Sequence, residues 1–211
     1  MDACDLFTIG HSNVPLERFL TLLRHAGVGL IADVRTVPYS RFCPWFSQKQ
    51  LAAALSAAGV EYVAMGETLG GRPRDDRLYR NGVASYEAMA MHPEYHAGID
   101  RVLDITARRL VCILCAEREP LDCHRCLLVA RTLADRGVRV GHILHNGAIE
   151  PHAATERRLL ALAGQGNDGE QGRDLFASGQ HERLAAAYRR RAHAVAFRQT
   201  TSTPRAAPER R

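Results

Sequence analysis

The stretch that decides the fold is LVCILCA, residues Leu110–Ala116, the most apolar strand-like run in the chain. Four other short apolar runs share its character, and segments with helical spacing lie between them. The five predicted strands are Leu6–Gly10, Gly29–Val34, Val60–Met65, Leu110–Ala116 and Val138–Leu144. Parallel strands require a crossover connection, which a helix supplies. The alternation therefore predicts a single α/β domain with a mainly parallel five-stranded sheet flanked by helices.

The length and composition describe an ordinary globular protein. The 211 residues suit one domain plus an appendage, and contents of 46% hydrophobic and 24% charged residues exclude collagen-like and wholly disordered chains. No apolar run reaches about eighteen residues and the first residues lack the pattern of a signal peptide, so we expect a cytoplasmic protein with no membrane partner. Its six cysteines are then expected to be thiols, metal ligands or nucleophiles rather than disulfides.

The positive charge is concentrated at the end of the chain. The formal net charge is +5, and residues 181–211 hold eight arginines against two glutamates. We predict an α/β domain over residues 1–163, a linker over 164–180 and a basic, largely disordered tail over 181–211, in which Leu184–Phe197 is compatible with a short helix. Two interpretations of the tail stay open: an arm that neutralises nucleic-acid phosphates, or a solvated end.

Chemically active residue types follow each predicted strand. Sites in open parallel sheets lie outside the carboxyl ends of the strands, so we expect these residues to meet at one edge. In chain order they are His11 and Ser12, Asp33 and Arg35, Gly70 and Gly71, then Cys115, Glu117, Cys123, His124 and Arg125, and finally His142 and His145. This edge is the predicted functional site.

The run CAEREPLDCHR, Cys115–Arg125, places thiols, carboxylates, an imidazole and a guanidinium beside one strand end. If a helix begins near Cys123, its free N–H groups and Arg125 form an anion site and lower the pKa of a nearby thiol. We expect the pKa of Cys123 to be lowered most, because Cys123 lies nearest the start of the helix. Cys115 faces the same loop. The remaining cysteines are expected to be core residues: Cys4, Cys43, Cys112 and Cys126.

Four cysteines also have a spacing found in zinc sites, C-x2-C-x7-C-x2-C: Cys112, Cys115, Cys123 and Cys126. Residues three apart on a strand point to opposite faces, which argues against Cys112 and Cys115 sharing one ion. We therefore predict no cofactor. A smaller metal site that uses Cys115, Cys123 or His124 together with His11 or His142 stays an alternative.

Two further pairs each allow two interpretations. Asp33 and Arg35 either orient a histidine base or form an ion pair that holds a loop. Gly70 and Gly71 either let backbone amides approach a phosphate or form a turn. Both pairs stay candidate substrate-binding residues.

Several motifs together resemble one known family. They are TIGHS (8–12), DVRTVPYSR (33–41), WFSQKQL (45–51), LGGR (69–72), CAE (115–117) and CHR (123–125). In this order, from about Leu6 to His145, they resemble the uncharacterised bacterial family called domain of unknown function 488. The resemblance implies an α/β fold and places the site at the motif residues, but it implies no particular reaction. A fainter similarity links the strand ending in DVR and the later cysteine loop to rhodanese-type sulfurtransferases.

These observations favour an enzyme that acts on an anionic substrate, either a nucleotide or a nucleic-acid end. The predicted catalytic residues are Cys115, Glu117, His11, Cys123 and His124. The predicted substrate-binding residues are Ser12, Asp33, Arg35, Ser40, Arg41, Gly70, Gly71 and Arg125. The alternatives are a noncatalytic nucleic-acid-binding module and a rhodanese-like thiol or sulfur transferase.

Overall fold

A computed structural model describes residues 4–164 and 177–199. The strands are β1 (Leu6–Gly10), β2 (Leu30–Asp33), β3 (Glu61–Ala64), β4 (Tyr79–Arg80), β5 (Val83–Ala84), β6 (Val111–Cys115), β7 (Val140–Ile143) and β8 (Ile149–Pro151). The α-helices are α1 (Leu16–His25), α2 (Gln48–Ala57), α3 (Gly66–Leu69), α4 (Tyr86–Ala90), α5 (Pro93–Thr106), α6 (Arg131–Asp135), α7 (His152–Leu162) and α8 (Ala177–Val195). None of the helices in these two ranges has the length and apolar character needed to cross a membrane.

Six strands form the central sheet, in the order β3-β2-β6-β1-β7-β8. In its middle, Ile113 of β6 pairs with Thr8 of β1 on one side and with Ala32 of β2 on the other. All neighbouring strands are parallel except β7 and β8, which are antiparallel. The predicted mainly parallel α/β sheet is confirmed, with six strands rather than five. The additional strand, β8, has only three residues and ends at Pro151, so no apolar run marked it in the sequence.

The alternation of side chains along β6 divides the core into two layers. Cys112 and Leu114 belong to the layer that α1 and α2 cover, whereas Ile113 and Cys115 belong to the layer that contains α5, α7 and α8. Helices therefore cover both faces of the sheet, which a buried parallel sheet requires. This arrangement leaves the edge at the carboxyl ends of the strands for a site.

The helix that follows β6 begins with a π-helical segment, Arg125–Ala130, and continues into α6. The sequence predicts one helix over Cys123–Arg136, closed by Gly137, and the structure ends the helix at this glycine with φ at 84°. The π-helical widening was not predicted, because apolar spacing over a few residues does not distinguish it from an α-helix. Such widened turns are rare and are frequently found at functional sites.

The last helix, α8, packs against the domain. Its Ala187 and Tyr188 are buried, and beyond its end the Ala84 N–H donates to the Phe197 carbonyl at 2.9 Å. The residues that join α8 to the core recur at the spacing of one helix face, which lets a helix rich in arginine bury an apolar stripe. A count of charges does not detect such a stripe.

This packing differs from the disordered tail that the sequence predicts from residue 181. As far as residue 199 the chain forms α8 and a short extended segment, and Val83 and Arg198 form an antiparallel bridge between that segment and β5. Most of the predicted linker and the end of the predicted tail lie at residues 165–176 and 200–211, outside the described residues.

Candidate functional site

A cleft of about 310 Å³ opens at the carboxyl ends of β1, β2 and β6. The loops that follow these strands form its floor, and the end of α8 forms one wall. The predicted site residues that line it are His11, Arg35, Ser40, Gly71, Cys115, Glu117, Cys123 and His124. The cleft therefore brings together all five predicted catalytic residues.

Two thiols and one carboxylate form the floor of the cleft. The Sγ atoms of Cys115 and Cys123 each lie 2.9 Å from the same atom, Oε2 of Glu117. His124 faces this group with Nδ1, at 3.6 Å from the Cys115 sulfur and 3.9 Å from the Cys123 sulfur. Its other nitrogen donates to the Val34 carbonyl at 3.1 Å, which holds the ring in place. One proton-transferring group thus contacts two possible nucleophiles.

The two thiols differ in acidity. Burial raises the pKa of Cys123, but the hydrogen bond from Cys115 and the positive charge of Arg125 outweigh it and hold that pKa well below the usual thiol range. Burial and the neighbouring Cys123 and Glu117 raise the pKa of Cys115 well above it. The Arg125 N–H also donates to the Cys123 sulfur, at 3.4 Å. Cys123 is therefore the more acidic thiol of the pair.

The environment of the Glu117 carboxyl group favours its protonated form. Burial on its inner side and the charge of Cys123 raise the pKa of Glu117 above its ordinary value. The residue nevertheless has an exposed face toward solvent. A carboxylic acid beside a thiolate, with access to solvent, has the arrangement of a general acid and base.

Arg125 supports the site from behind rather than lining the cleft. Its side chain is buried, and its terminal nitrogens donate to the carbonyls of Glu117 at 2.6 Å and Arg118 at 3.1 Å. These bonds hold the loop after β6 in a tight curve. The predicted role of Arg125 as a contact to an anionic substrate does not fit this position, because its donors point into the loop.

Arg35 is likewise committed to internal partners. It forks onto Asp33 with distances of 2.6–3.1 Å and donates to His11 Nε2 at 3.1 Å and to the Phe46 carbonyl at 2.8 Å. Tyr62 donates a further hydrogen bond to Asp33 at 2.7 Å. Of the two interpretations of the Asp33–Arg35 pair, the geometry matches the ion pair that holds a loop.

His11 has no free nitrogen for acid–base chemistry. Its Nδ1–H donates to the Ser12 carbonyl at 2.7 Å, its Nε2 accepts from Arg35, and its ring stacks on Phe46 with the ring centres 4.3 Å apart. Burial and the positive charge of Arg35 lower the pKa of His11 to about 4. His11 is therefore a neutral group that positions Arg35.

The glycines of LGGR serve close packing. A Cβ atom on Gly71 would come within 2.8 Å of the His124 ring, and one on Gly70 within 2.4 Å of the Thr36 hydroxyl. The Thr36 hydroxyl in turn accepts from the Arg72 N–H at 3.1 Å. This loop therefore packs against the catalytic histidine candidate, and its Arg72 amide is already occupied.

Serines shape two other loops. Ser12 adopts a left-handed conformation with φ at 47°, and its N–H donates to the Ala116 carbonyl at 2.8 Å, but it does not line the cleft. Ser40 lines the cleft and accepts from the Cys43 N–H at 3.0 Å. The loop between β2 and α2, which carries Arg41, is therefore braced from within.

The cleft also contains a possible metal-binding set. One donor atom from each of Cys115, Glu117, Cys123 and His124 lies within 4.8 Å of the others. The four-cysteine arrangement does not form, because Cys112 lies in the opposite core layer. The smaller alternative set thus exists without either of its predicted histidine partners, His11 and His142.

Sequence reasoning missed part of the cleft wall. Tyr86, at the start of α4, and Val195 and Phe197, at the end of α8, line the cleft beside the predicted residues. They lie far from β6 along the chain, so no local spacing marks them. The helical spacing within Leu184–Phe197 was the only related signal.

The fold and this site define a class of protein: an α/β protein whose thiol, carboxyl and imidazole groups meet at the carboxyl edge of a mainly parallel sheet. Within this class the chain belongs to the family described as Domain of unknown function DUF488, whose model matches residues 15–132. The matched range includes DVRTVPYSR, LGGR, CAE and CHR, and it begins after TIGHS. Comparisons with curated proteins and with solved structures give no match.

Proposed function

We propose that this protein is an enzyme that uses Cys123 as a nucleophile on an anionic substrate of the nucleotide or nucleic-acid-end class. One observation carries the proposal: two thiols approach the same oxygen of Glu117, each at 2.9 Å, on the floor of a cleft. A nucleophilic cysteine needs a nearby group that exchanges protons with the substrate, and a carboxyl group with a raised pKa meets that need.

The reaction that fits these groups is a substitution in two steps. The Cys123 thiolate forms a bond to the electrophilic atom, the bond to the leaving group breaks, and the leaving group takes a proton from Glu117. Water then attacks the same atom, gives a proton to the Glu117 carboxylate and releases Cys123 as a thiolate. Cys115 stays a thiol beside Glu117 throughout, and His124 faces the sulfur that carries the charge.

Arg41 and Arg72 are the cations proposed to bind the anion. Both are exposed: Arg72 lines the cleft with its guanidinium 4.7 Å from the centre of the Phe197 ring, and Arg41 follows Ser40, which also lines the cleft. Within residues 4–164 and 177–199 neither forms an ion pair, whereas Arg35 and the terminal nitrogens of Arg125 donate to internal groups. The cations proposed for the substrate are therefore those of the outer loops.

Exposed aromatic side chains support a substrate that carries a base. Tyr39 and Phe42 are 68% and 81% exposed, and the Arg41 guanidinium lies 4.8 Å from the centre of the Phe42 ring. Because these rings are already exposed to solvent, a flat ligand can stack on them without displacing a packed side chain. A base stacked on an aromatic ring gains about 1–3 kcal/mol, and a neighbouring arginine holds the phosphate.

The test is a panel of nucleotides and short phosphorylated single-stranded oligonucleotides, with both binding and turnover measured on the full chain. We expect Cys123→Ser to keep the affinity of the wild-type protein and to lose turnover. Phe42→Ala should weaken binding by roughly tenfold, consistent with the loss of one stacked base. Leu162→Ala, which truncates an exposed apolar side chain of α7 away from the cleft, is the matched control and should change neither quantity.

Two results would contradict the proposal that this protein is an enzyme. Turnover by Cys123→Ser at the wild-type rate would remove the nucleophile from the proposal. Binding of an oligonucleotide by the wild-type protein with no turnover of any substrate in the panel would instead favour the noncatalytic nucleic-acid-binding module.

A metal centre in the cleft is a second candidate, and one observation favours it. His124 points Nδ1 at Cys115 and Cys123 while its other nitrogen donates to a backbone carbonyl, as in many metal-ligating histidines. These cysteines would then be ligands rather than nucleophiles. Stoichiometric zinc that is lost in Cys115→Ser and Cys123→Ser would support this candidate over the first.

A further inference from the structure

We propose a second site, separate from the cleft, at which Cys126, His142 and His152 bind one zinc ion in the protein interior. A donor atom from each residue lies within 4.8 Å of the other two. All three residues are buried, at 0%, 0% and 5% exposure, and none of them lines the cleft. The site does not depend on the proposed enzymatic function.

The spacing of the donor atoms is close to that of a zinc coordination shell. His142 Nε2 lies 3.0 Å from His152 Nδ1 and 3.9 Å from the Cys126 sulfur. Bond lengths of about 2.0–2.1 Å to nitrogen and 2.3 Å to sulfur place tetrahedral ligands roughly 3.3–3.6 Å apart. The two distances to His142 Nε2 therefore differ from those of a bound ion by only a few tenths of an ångström, and the donor atoms of Cys126 and His152 lie within 4.8 Å of each other.

The hydrogen bonds behind the ligands fix which nitrogen of His152 faces inward. The Tyr188 hydroxyl has one hydrogen, which it donates to Glu156 at 3.0 Å. It therefore accepts from Nε2–H of His152, also at 3.0 Å, and this leaves Nδ1 of His152 with a free lone pair toward the cluster. A metal-ligating histidine is normally oriented by such a partner on its other nitrogen.

His142 has an outer partner of the same kind. Its Nδ1 lies 2.8 Å from the Thr8 hydroxyl, which can accept from this nitrogen when Nε2 carries a metal. Without a metal the same atoms form a chain in which His142 donates to His152.

Five elements converge on this cluster. Cys126 comes from the π-helical segment, His142 from β7 and His152 from α7, while Thr8 of β1 and Tyr188 of α8 hold the outer nitrogens. An ion here would fasten α8 to the core through Tyr188. Three protein donors are fewer than the four of most structural zinc sites, so a water molecule or another small ligand would complete the shell.

The experiment measures metal binding by the full chain. Protein stripped with a chelator is titrated with cobalt(II), whose thiolate charge-transfer absorption reports a cysteine ligand, and the zinc content of untreated protein is determined by mass spectrometry. We expect one cobalt equivalent with thiolate absorption that is lost in Cys126→Ser. Cys112→Ser, a buried cysteine in the opposite core layer, is the matched control and should bind as the wild-type protein does.

A second variant keeps the proposal testable if Cys126→Ser does not fold. Tyr188→Phe removes only the hydroxyl that orients His152, and it should weaken cobalt binding by roughly 10–100-fold. An unchanged cobalt affinity in Tyr188→Phe would overturn the site, and so would an unchanged spectrum in Cys126→Ser. So would a metal lost only in Cys115→Ser or Cys123→Ser, which would place the ion in the cleft, or no binding at millimolar cobalt.

Discussion

Cys115 and Cys123 differ in chemistry although both contact the same carboxyl group. The Cys123 sulfur accepts a backbone N–H from Arg125 and faces the positive charge of that residue, whereas Cys115 lies at the end of a buried strand. The same residue type is therefore the more acidic thiol in one position and the less acidic thiol in the other. The environment rather than the residue type assigns these roles.

This difference predicts selective alkylation. At pH 7 we expect iodoacetamide to modify Cys123 roughly ten times faster than Cys112 or Cys126, because a lowered pKa gives Cys123 more thiolate and its sulfur lies in the cleft. Raising the pH toward 9 should increase the rate of Cys123 alkylation only slightly, because a thiol with a lowered pKa gains little further thiolate over this range. Peptide mass spectrometry of partially labelled protein measures the rates, and equal rates at these three cysteines would refute an activated thiol.

At the scale of elements, the loop after α3 determines the position of His124. Gly71 lies against the imidazole so closely that any Cβ would meet ring atoms at 2.8 Å. Its φ is not in the left-handed region, so the glycine is required for space rather than for backbone conformation. The LGGR motif thus contributes to the site as a packing surface.

Gly71→Ala is expected to displace the His124 ring and to lower the free energy of unfolding by about 1–3 kcal/mol, the usual cost of overpacking. The selectivity of Cys123 alkylation should fall in the same variant. Gly29→Ala is the control, because its Cβ would have no neighbour nearer than 3.9 Å, and it should change stability by less than about 0.5 kcal/mol. Urea denaturation measures both, and equal stabilities would exclude the close contact.

At the scale of the whole molecule, α8 completes both the core and the cleft. Tyr188 is buried against the core, and Phe197 lines the cleft after pairing its carbonyl with Ala84. Arg191 donates to the Leu121 carbonyl at 3.0 Å, in the loop that leads to the candidate nucleophile. The arginine-rich segment therefore has structural contacts that its charge alone does not indicate.

Truncation after Gly179 is therefore expected to destabilise the domain by roughly 3 kcal/mol or more, since each large side chain removed from the core costs about 1.5–3 kcal/mol. Truncation after Gln199 keeps every described contact and is the control, with an expected loss near zero. Circular dichroism during urea denaturation gives both values. If the two truncated proteins unfold at the same urea concentration, α8 does not contribute to the stability of the core.

The sequence by itself determined the class of fold and the edge of the sheet at which the candidate site residues meet. Apolar runs that alternate with helical segments have few topological solutions, and residues after parallel strands meet at one edge. That argument was sufficient to bring Cys115, Glu117, Cys123 and His124 into one cleft. Their relation is visible locally, because the first and the last, Cys115 and His124, lie only nine positions apart.

Only the tertiary structure decided which groups are free to act. Arg35, Arg125 and His11 have the right chemistry for binding or catalysis, but Arg35, His11 and the terminal nitrogens of Arg125 form hydrogen bonds to internal partners. Cys126, His142 and His152 meet in the interior through elements far apart in the chain, as does Thr8, which lies 134 residues from its partner His142. Spacing along a sequence reports local geometry, whereas the pairing of distant polar groups depends on how helices pack across a sheet, which no short segment encodes.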